Sequence, residues 1–293
     1  MPSVSCVIPN WNGRQLLEKN LPVLLKLAPA EQIKQIIVVD DASTDDSLVY
    51  LAQFPQIELI AKPTNSGFSA TVNLGVKHAK HPIVLLLNSD ARPLPGFAQP
   101  ALRHFQDPRV FSVSCNDGGT WADGYLKHGL LQHTAGKPSD STHLTLWTSG
   151  GHGFFRTKYW RKLGGMDEMY HPFYWEDIDL GWRAWKAGYI NLWEPQAKLQ
   201  HMTKTGVIKT NFSAEFIHQI SARNQFLFAW KNLDRSTLLS QFKLLPQLAR
   251  HPGMAKSLLA AAPFLPQVIR KRQLQTPNWQ LTDQQILDQI HQT

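Results

Sequence analysis

The sequence predicts an α/β fold, with a mostly parallel central sheet flanked by helices and a helical extension at the C-terminus. Over the first 90 residues, short β-branched or apolar runs alternate with segments of helical periodicity, as in chains built from βαβ units. The five apolar residues at 83–87 are typical of a parallel strand that is buried on both faces. Further along, Pro246, Pro252, Pro263 and Pro266 predict that the tail consists of several short helices.

The first half of the chain supplies most of the predicted sheet. Strands are predicted at residues 4–8, 36–39, 57–60 and 83–87. Leucines at helical spacing between residues 16 and 25 predict a helix after the first strand, and another helix passes through Val72 and Val76. Because successive parallel strands need crossover connections, these helices are expected to cover the faces of the sheet.

The second half is less regular. Residues 116–145 lose apolar periodicity, and we expect loops or irregular excursions over a site there. After them we predict a helix from about residue 177 to Ala187, a strand at 190–193 and a helix from about Phe212 to Leu233. No internal repeat is visible.

Composition narrows the class of protein. With 43% hydrophobic and 18% charged residues in 293, disorder and coiled coil are excluded. Two cysteines cannot form a disulfide scaffold. No signal peptide and no membrane-spanning run precede or interrupt the predicted strands, so we expect a cytoplasmic location.

Positive charge is concentrated in the last third of the chain. Residues 1–201 hold 19 Lys/Arg and 18 Asp/Glu, whereas residues 202–293 hold 11 and 4. This asymmetry favours an anionic partner, either lipid headgroups or nucleic acid, and the alternative is a solubilising face. Apolar and basic residues are mixed around 242–250 and 258–272, which suggests interfacial helices, or else plain packing against the rest of the chain.

Carboxylates follow two of the predicted strands. Asp40 and Asp41 come after residues 36–39, and Asp90 comes after residues 83–87. Ligands of open α/β sheets bind beyond the C-terminal ends of the strands. Asp90 is therefore a candidate ligand for a Mg²⁺ or Mn²⁺ ion that faces a diphosphate, and its alternative role is to cap a turn.

A second group of acids lies at Glu176, Asp177 and Asp179. Carboxylates in a first helical turn interact favourably with the helix dipole, which is the structural interpretation. Asp179 stands four residues before Arg183, so the two are expected to pair on one face. That pairing would leave Glu176 and Asp177 to face a cleft, with one of them acting as a general base.

Two further features are weaker by themselves. His201 follows the predicted strand at 190–193 and is one of 12 histidines. The glycine-rich run at 149–153 permits close approach of the backbone to a ligand, or a tight entry into a strand. Neither a dinucleotide-binding GxGxxG after the first strand nor a P-loop is present.

Taken in order, these segments resemble the family 2 glycosyltransferases, whose fold is called GT-A. The resemblance covers roughly residues 3–235. The motifs that carry it are VIPNWNG (7–13), VVDDASTD (38–45), NSGF (65–68), NLG (73–75), LLNSD (86–90), GGMDE (164–168) and WEDIDL (175–180) with Arg183. Each motif is short, and the ordered set is what makes the resemblance specific.

The resemblance implies an inverting transferase that uses a nucleotide sugar with a UDP, dTDP or GDP carrier and a divalent metal, Mn²⁺ or Mg²⁺. The implied nucleotide-sugar-binding residues are Pro9, Trp11, Asp40, Asp41, Asn65, Gly67, Asn88, Ser89 and Asp90. The family's DXD motif maps onto Asn88-Ser89-Asp90, where Asn replaces the first acid and Asp90 keeps the metal ligand. His201 occupies the place of a downstream histidine that also binds the metal in some members.

The resemblance further implies the catalytic and acceptor residues. The family's ED motif maps onto Glu176-Asp177, with Asp177 as the catalytic base and Glu176 orienting either the acceptor or Asp177. Gly151, His152 and Trp175 are expected to line the acceptor pocket. The acceptor would be a glycan or a lipid-linked molecule, and cell-surface polysaccharide synthesis by rhamnosyl or hexosyl transfer is the leading context.

The predicted organisation is a catalytic domain at residues 1–235 and a basic amphipathic helical tail at 236–293. Within the domain, residues 1–115 would bind the nucleotide sugar, and residues 116–235 would bind the acceptor and carry out catalysis. The tail is expected to contact the cytoplasmic face of an anionic membrane, and no nucleic acid is expected, because the tail contains no recognisable module for it.

Three other functions remain open. A nucleotide-dependent oxidoreductase would share the βαβ start, but the glycine fingerprint is missing. A glycoside hydrolase would use two carboxylates without needing acids at strand ends. A catalytically silent module that binds nucleotide or glycan is favoured by the asparagine at position 88, while Asp90, Asp177 and His201 argue against it.

Overall fold

The computed structural model describes residues 1–201 and 207–292, and its strands occupy the first two thirds of the chain. The strands are β1 (Val4–Asn10), β2 (Ile33–Asp40), β3 (Glu58–Ala61), β4 (Ile83–Leu87), β5 (Ala91–Pro93), β6 (Val110–Asn116), β7 (Ala122–Lys127), β8 (Leu130–Ala135), β9 (His143–Leu144), β10 (His152–Arg156) and β11 (Ile190–His201). All four strands predicted from the first half are present as β1 to β4.

Helices connect these strands and then form the C-terminal region. They are α1 (Arg14–Leu27), α2 (Ser47–Leu51), α3 (Phe68–His78), α4 (Ala98–Arg103), α5 (Thr157–Leu163), α6 (Glu176–Lys186), α7 (Val207–Asn211), α8 (Ala214–Asn232), α9 (Arg235–Leu239), α10 (Leu245–Arg250), α11 (Pro252–Ala261), α12 (Leu265–Gln275) and α13 (Asp283–His291). No helix within the described ranges is long and apolar enough to cross a lipid bilayer.

The central sheet is mixed, with a parallel half that matches the prediction. Its strand order is β3-β2-β1-β4-β10-β6-β11-β5, and β9 adds to β11. Strands β3, β2, β1 and β4 are mutually parallel. Strand β10 is antiparallel to both of its neighbours, while β6 and β11 are parallel to each other. The C-terminal ends of β1, β2 and β4 therefore lie at one edge of the sheet.

Both faces of the sheet are covered, because alternate residues of its strands enter different cores. Cys6 and Ile8 of β1 pack with the buried leucines of α1 on one face. Val7 of β1 packs with Val72 and Val76 of α3 on the other face. This two-sided burial explains why the sequence of β4 contains only apolar residues.

The expectation of irregular structure over the whole of residues 116–145 is wrong. Strands β7 and β8 form an antiparallel hairpin, and β9 pairs with β11. The hairpin turns at His128 and Gly129, which both have positive φ angles, as a tight two-residue hairpin requires. The signal was weak because the turn lacks the usual Asn-Gly or Asp-Gly pair, and because Gly124, Leu130 and Leu131 are the only buried residues of these two strands.

The tail forms short helices, as predicted, and three of them, α10, α11 and α12, begin at or beside a proline. Ala261 of α11, Val268 of α12 and Ile286 of α13 pack in the same core as Trp182 of α6 and Phe228 of α8. An ion pair joins Lys186 of α6 to Asp283 of α13, with an Nζ–Oδ1 distance of 2.7 Å. The tail is thus packed against the helix that begins with the Glu176-Asp177 pair, and the division into domains at residue 235 stays a prediction.

Candidate active site

A cleft of about 850 Å³ opens at the C-terminal ends of β1, β2 and β4. Eight of the nine residues predicted to bind a nucleotide sugar line it. They are Pro9, Trp11, Asp41, Asn65, Gly67, Asn88, Ser89 and Asp90. The predicted metal ligand His201 lines the same cleft from the end of β11. The structure therefore gathers in one place residues that are up to 192 positions apart in the sequence.

Asp40, the ninth predicted residue, lies beneath the cleft and not in its lining. It is fully buried. Its carboxylate accepts hydrogen bonds from the backbone and the hydroxyl of Ser43 and from the amide of Asn10, at 2.7–2.8 Å. Asp40 therefore fixes the loop after β2, and this anchoring accounts for its position without a ligand.

Asp41 lies at the cleft, but its carboxylate already has protein partners. It accepts hydrogen bonds from the backbone N–H groups of Ser66 and Gly67, both at 2.9 Å, and forms an ion pair with Lys62. Gly67 has a φ angle of +84°, and a Cβ added there would lie 2.5 Å from Nδ1 of His171. The close approach of His171 across the cleft thus requires a glycine at this position.

Aromatic side chains form the opposite wall of the cleft. Phe173, Phe212 and Phe216 line it, and the ring of Phe212 lies 6.3 Å from that of Trp11, centroid to centroid. The rings of Phe212 and Phe216 are stacked at 5.4 Å. This apolar surface suits the face of a nucleobase. Phe212 and Phe216 were not predicted, because a phenylalanine next to a helix start looks like an ordinary core residue.

A short glycine turn connects the end of β4 to the second acid group. The backbone N–H of Asn88 donates to the carbonyl of Gly151 at 2.8 Å. A Cβ added to Gly151 would lie 2.7 Å from Nδ2, the side-chain amide nitrogen of Asn88. One residue earlier, the N–H of Gly150 donates to Oδ2 of Asp177 at 3.3 Å. Gly151, predicted to line the acceptor pocket, is therefore packed against Asn88.

Two histidines and a second aspartate cluster beside Asp90. Nε2 of His201 lies 3.2 Å from Oδ1 of Asp90, and Nδ1 lies 3.3 Å from Oδ2 of Asp117. Nε2 of His152 is 3.4 Å from the same oxygen of Asp117. His152, predicted to bind the acceptor, therefore belongs to this cluster. Asp117 was not predicted, although it follows directly on β6 as the other strand-end acids follow their strands.

The carboxylates of Asp117 and Asp90 favour the protonated form of His201. Hydrogen bonds to Asp117 and then to Asp90 raise the pKa of His201 to about 9, against the lowering effect of burial. Hydrogen bonds from His152 and His201 hold the pKa of Asp117 well below its usual range. Two anions and two imidazoles thus meet at one end of the cleft.

Asp117, His152 and His201 could hold a divalent ion, since one donor atom of each lies within 4.8 Å of the others. The predicted ligand Asp90 is not part of this group and contacts it through Nε2 of His201. In a second arrangement, Asp90 and His201 would hold the ion and Asp117 would support the histidine. Asp117 contacts Nδ1 of His201 and leaves Nε2 directed at Asp90. A carboxylate on the far nitrogen of a metal-binding imidazole is the usual support for such a ligand. A bound ion would have to displace the proton of His201, because only a neutral imidazole is a ligand. Carboxylate oxygen with neutral imidazole nitrogen is a donor set that suits Mn²⁺, whereas Mg²⁺ prefers oxygen ligands.

Glu176 and Asp177 begin helix α6 with different surroundings. Glu176 is 6% exposed, and its Oε2 has no hydrogen-bond partner among the described residues. Burial and the charge of Asp177 raise the pKa of Glu176 well above its usual range. Burial also raises the pKa of Asp177, while hydrogen bonds from the backbone of Gly150 and Ile178 oppose that shift. Asp177 therefore ionises more readily than Glu176.

A buried ionic network anchors this helix. Asp179 pairs with Arg183 at 2.7 Å, as predicted, and also with Lys231 of α8 at 2.7 Å. Lys231 in turn contacts Asp167, which also pairs with Lys271 of α12. Burial would raise the pKa of Asp179, but the cations of Arg183 and Lys231 outweigh it and hold this pKa below its usual range. The acids of α6 thus divide into a structural Asp179 and the pair Glu176 and Asp177, neither of which is among the described residues that line the cleft.

The predicted acceptor residue Trp175 is buried, and its indole N–H donates to Ser221 at 3.2 Å. Its ring lies 5.8 Å from that of His133, an exposed residue of β8. His133 also acts electrostatically on Asp177, and it opposes the larger upward shift that burial causes in the pKa of Asp177. Sequence reasoning missed His133 because residues 116–145 were expected to be irregular. It also missed Arg223 of α8, which lines the cleft.

A family model described as "Glycosyl transferase family 2" matches residues 5–162, more than half of the chain. The chain belongs to glycosyl transferase family 2. Among curated relatives, a pre-mycofactocin glycosyltransferase of Mycobacterium tuberculosis is 29% identical over 214 residues, covering 69% of this chain and 43% of the relative. Polypeptide N-acetylgalactosaminyltransferase 3 of Mus musculus is 24% identical over 219 residues, covering 64% and 35%. The chain therefore spans less than half the length of these relatives.

Solved structures show the same fold at low sequence identity. GalNAc-T7, solved with UDP, GalNAc and Mn²⁺, has a TM-score of 0.66 and 15% identity, covering 80% of this chain and 49% of its own. A mannosyltransferase of Pyrobaculum calidifontis, solved with GDP-Man and Mn²⁺, has a TM-score of 0.58 and 18% identity, covering 93% and 80%. The GT-A fold that the resemblance implied is confirmed.

Proposed function

We propose that this protein is an inverting glycosyltransferase that moves a sugar from a nucleotide sugar to a hydroxyl of a glycan or lipid-linked acceptor. One observation carries the proposal. The glycine turn 149–151 connects Asn88, at the strand end next to Asp90, with Asp177, at the start of α6. A group suited to hold a diphosphate and a carboxylate suited to take a proton are thus connected through one short turn.

The nucleotide would occupy the part of the cleft between Trp11 and Phe212. Trp11 offers a ring face for the base. One oxygen of Asp41 accepts a hydrogen bond from Gly67 and the other accepts one from Ser66. We therefore expect Asp41 to hold this backbone in place beside the base and the ribose, and also to contact both groups. The UDP and the GDP-Man with which two structural neighbours were solved support this placement by analogy of fold alone.

The diphosphate would lie against Asp90 and His201. A divalent ion held by these two residues would neutralise the charge that develops on the leaving diphosphate. Asp117 keeps His201 oriented from the far side of its ring. Arg223, whose guanidinium donates to the carbonyl of His171 at 2.5 Å, adds a positive charge at the same cleft.

Asp177 would act as the general base. It takes the proton of the acceptor hydroxyl as that oxygen attacks the anomeric carbon on the face opposite the diphosphate. A single displacement inverts the configuration at that carbon. Because its pKa is well above the usual range, Glu176 would remain protonated and donate a hydrogen bond, which leaves Asp177 as the ionised member of the pair.

The acceptor would approach from the side of the hairpin β7–β8, where His133 and Trp147 lie near Trp175. We propose synthesis of a cell-surface polysaccharide at the cytoplasmic face of the membrane as the context, with a hexosyl or rhamnosyl donor. The basic tail supports this context, and it is the reason for expecting a lipid-linked acceptor.

A second candidate is a catalytically silent module that binds a nucleotide or glycan. The observation that favours it is Asn88, which stands in place of the first acid of the metal motif and whose buried Oδ1 has no partner among the described residues. Such a module would bind a nucleotide without consuming a donor.

Donor consumption distinguishes the two candidates. The release of nucleoside diphosphate from UDP-, dTDP- and GDP-linked sugars would be measured over hours with Mn²⁺, with water as the surrogate acceptor. We expect one donor class to be consumed by the wild type and by the Asp140→Asn control, whose site is exposed, and not by Asp90→Ala. Binding of a nucleotide without consumption of any donor would favour the silent module.

A further inference from the structure

The surface of the tail has an unusual charge distribution. Residues 235–282 contain seven Lys/Arg and no Asp/Glu. They form helices α9 to α12. Five of the seven basic residues are exposed, namely Arg235, Lys243, Arg250, Lys256 and Arg270. A continuous segment without acids has no internal means of neutralising this charge, so its complement must come from outside the segment.

An apolar stripe lies within the same surface. Leu239, Phe242 and Leu245 are 74%, 65% and 66% exposed. They are spaced three residues apart across the 3-10 helix Ser240–Leu244, in which side chains at this spacing lie one above the other. The intervening Leu244 is only 4% exposed and belongs to the core shared with α8. The stripe is therefore presented outward by a segment that is itself anchored.

The tail residues that are exposed differ from those that the sequence suggested for contact with a membrane. Leu244 and Val268, both within the segments predicted as interfacial helices, are buried, whereas Leu239, outside those segments, is exposed. Helix α12 adds Ile269 and Leu274, which are exposed beside Arg270. Of the exposed large hydrophobic side chains among the described residues, most lie between positions 239 and 274.

We propose that the docking face, formed by Leu239, Phe242 and Leu245 with Arg235 and Lys243, binds the surface of an anionic lipid bilayer. Apolar side chains would enter the region between headgroups and acyl chains, and the basic side chains would meet lipid phosphates. A second copy of this chain is a poor occupant, because it would bring the same positive charge. Nucleic acid offers no apolar layer for three exposed hydrophobic side chains.

This inference deepens the proposed function. It rests on that function only for the reason to bind a membrane, which is to bring the cleft to a lipid-linked acceptor. The contacts between the tail and the wall of the cleft support this reason. Helices α11 and α12 pack on α8, whose residues Phe216, Ile220 and Arg223 line the cleft. Attachment of the tail to a bilayer would hold the wall of the cleft close to the membrane.

Co-sedimentation of the full chain with vesicles tests the inference without any transferase assay. Vesicles of phosphatidylcholine would be compared with vesicles that also contain phosphatidylglycerol. We expect binding to the anionic vesicles, weakened by salt. The triple variant Leu239→Ser/Phe242→Ser/Leu245→Ser should bind more than about tenfold more weakly. Lys243→Glu should bind about 25-fold more weakly, at roughly fivefold for each unit of charge.

Two matched substitutions control for general effects. Val49→Ser removes an apolar side chain that is 68% exposed on α2, and Lys34→Glu reverses an exposed charge on β2. Both should bind within about twofold of the wild type, since neither belongs to the docking face. Thermal unfolding would establish that every variant is folded.

Three results would overturn the inference. They are the absence of binding to anionic vesicles, binding that the triple variant and Lys243→Glu leave unchanged, and self-association that the triple variant abolishes while vesicles are not bound. None of these results depends on whether the protein transfers a sugar, so a failure here is distinct from a failure of the proposed function.

Discussion

Asp177→Asn and Glu176→Gln replace neighbouring carboxylates by isosteric amides, and we expect them to affect turnover very differently. Within residues 1–201 and 207–292, the hydrogen bonds that Asp177 accepts come from backbone N–H groups, at 2.8 Å from Ile178 and 3.3 Å from Gly150. Glu176 is buried, one of its oxygens has no partner in the same part of the chain, and its pKa is raised well above the usual range. The first carboxylate is thus available as a base, whereas the second is expected to be neutral.

The expected magnitudes follow from these roles. A positioned general base contributes about 10²- to 10⁴-fold to the rate, which is about 3–5 kcal/mol of activation free energy. Asp177→Asn should therefore lower kcat by about that factor and leave nucleotide affinity unchanged. Glu176→Gln preserves the shape and the donor of a protonated carboxyl, so kcat should fall by less than about tenfold, a factor that corresponds to about 1.4 kcal/mol.

Single-turnover release of nucleoside diphosphate from the donor that the protein accepts is the appropriate assay. Calorimetric titration of the nucleotide would check that both variants retain the cleft. Equal losses in the two variants, or a larger loss in Glu176→Gln, would refute the assignment of Asp177 as the base.

Three further outcomes are expected. Asp117→Asn should weaken Mn²⁺ binding by about 10- to 100-fold in a metal titration, because the histidine it contacts loses its support; unchanged affinity would contradict this role. Lys231→Met removes the buried cation that Asp167 and Asp179 share and should lower the free energy of unfolding by about 3–5 kcal/mol, whereas the exposed Lys137→Met should change it little in the same urea titration. Because the pKa values of both aspartates are lowered in the folded protein, their stabilisation is fully present above the unfolded pKa of about 3.9. It should be lost as the pH falls below that value, and urea midpoints that do not decrease from pH 5 to pH 3 would refute this linkage.

The sequence predicted those parts of the site whose signals are local. Trp11 and Asp90 each follow directly on a β-branched or apolar run, so their place at the binding edge follows from the order of strands. The pair Asp179–Arg183 follows from helical spacing. In these cases the residues that determine the position are neighbours in the chain.

Residues positioned by distant contacts were not predictable. Asp117 gains its role from His201, 84 positions away. Phe212 faces Trp11 from the other end of the domain. Trp175, expected at the acceptor pocket, is buried because α8 covers it, which the local sequence does not indicate. The tail gave the same result, since amphipathic spacing did not reveal that Leu244 is buried while Leu239 is exposed.

The most direct test of the central claim is calorimetric titration of UDP, dTDP and GDP, each with and without Mn²⁺, into the wild type and Asp90→Ala. We expect one of the three nucleotides to bind the wild type only when the metal is present, and to bind Asp90→Ala at least about tenfold more weakly. Binding that ignores both the metal and Asp90, or the absence of binding by all three nucleotides, would contradict a metal-dependent nucleotide-sugar site in this cleft.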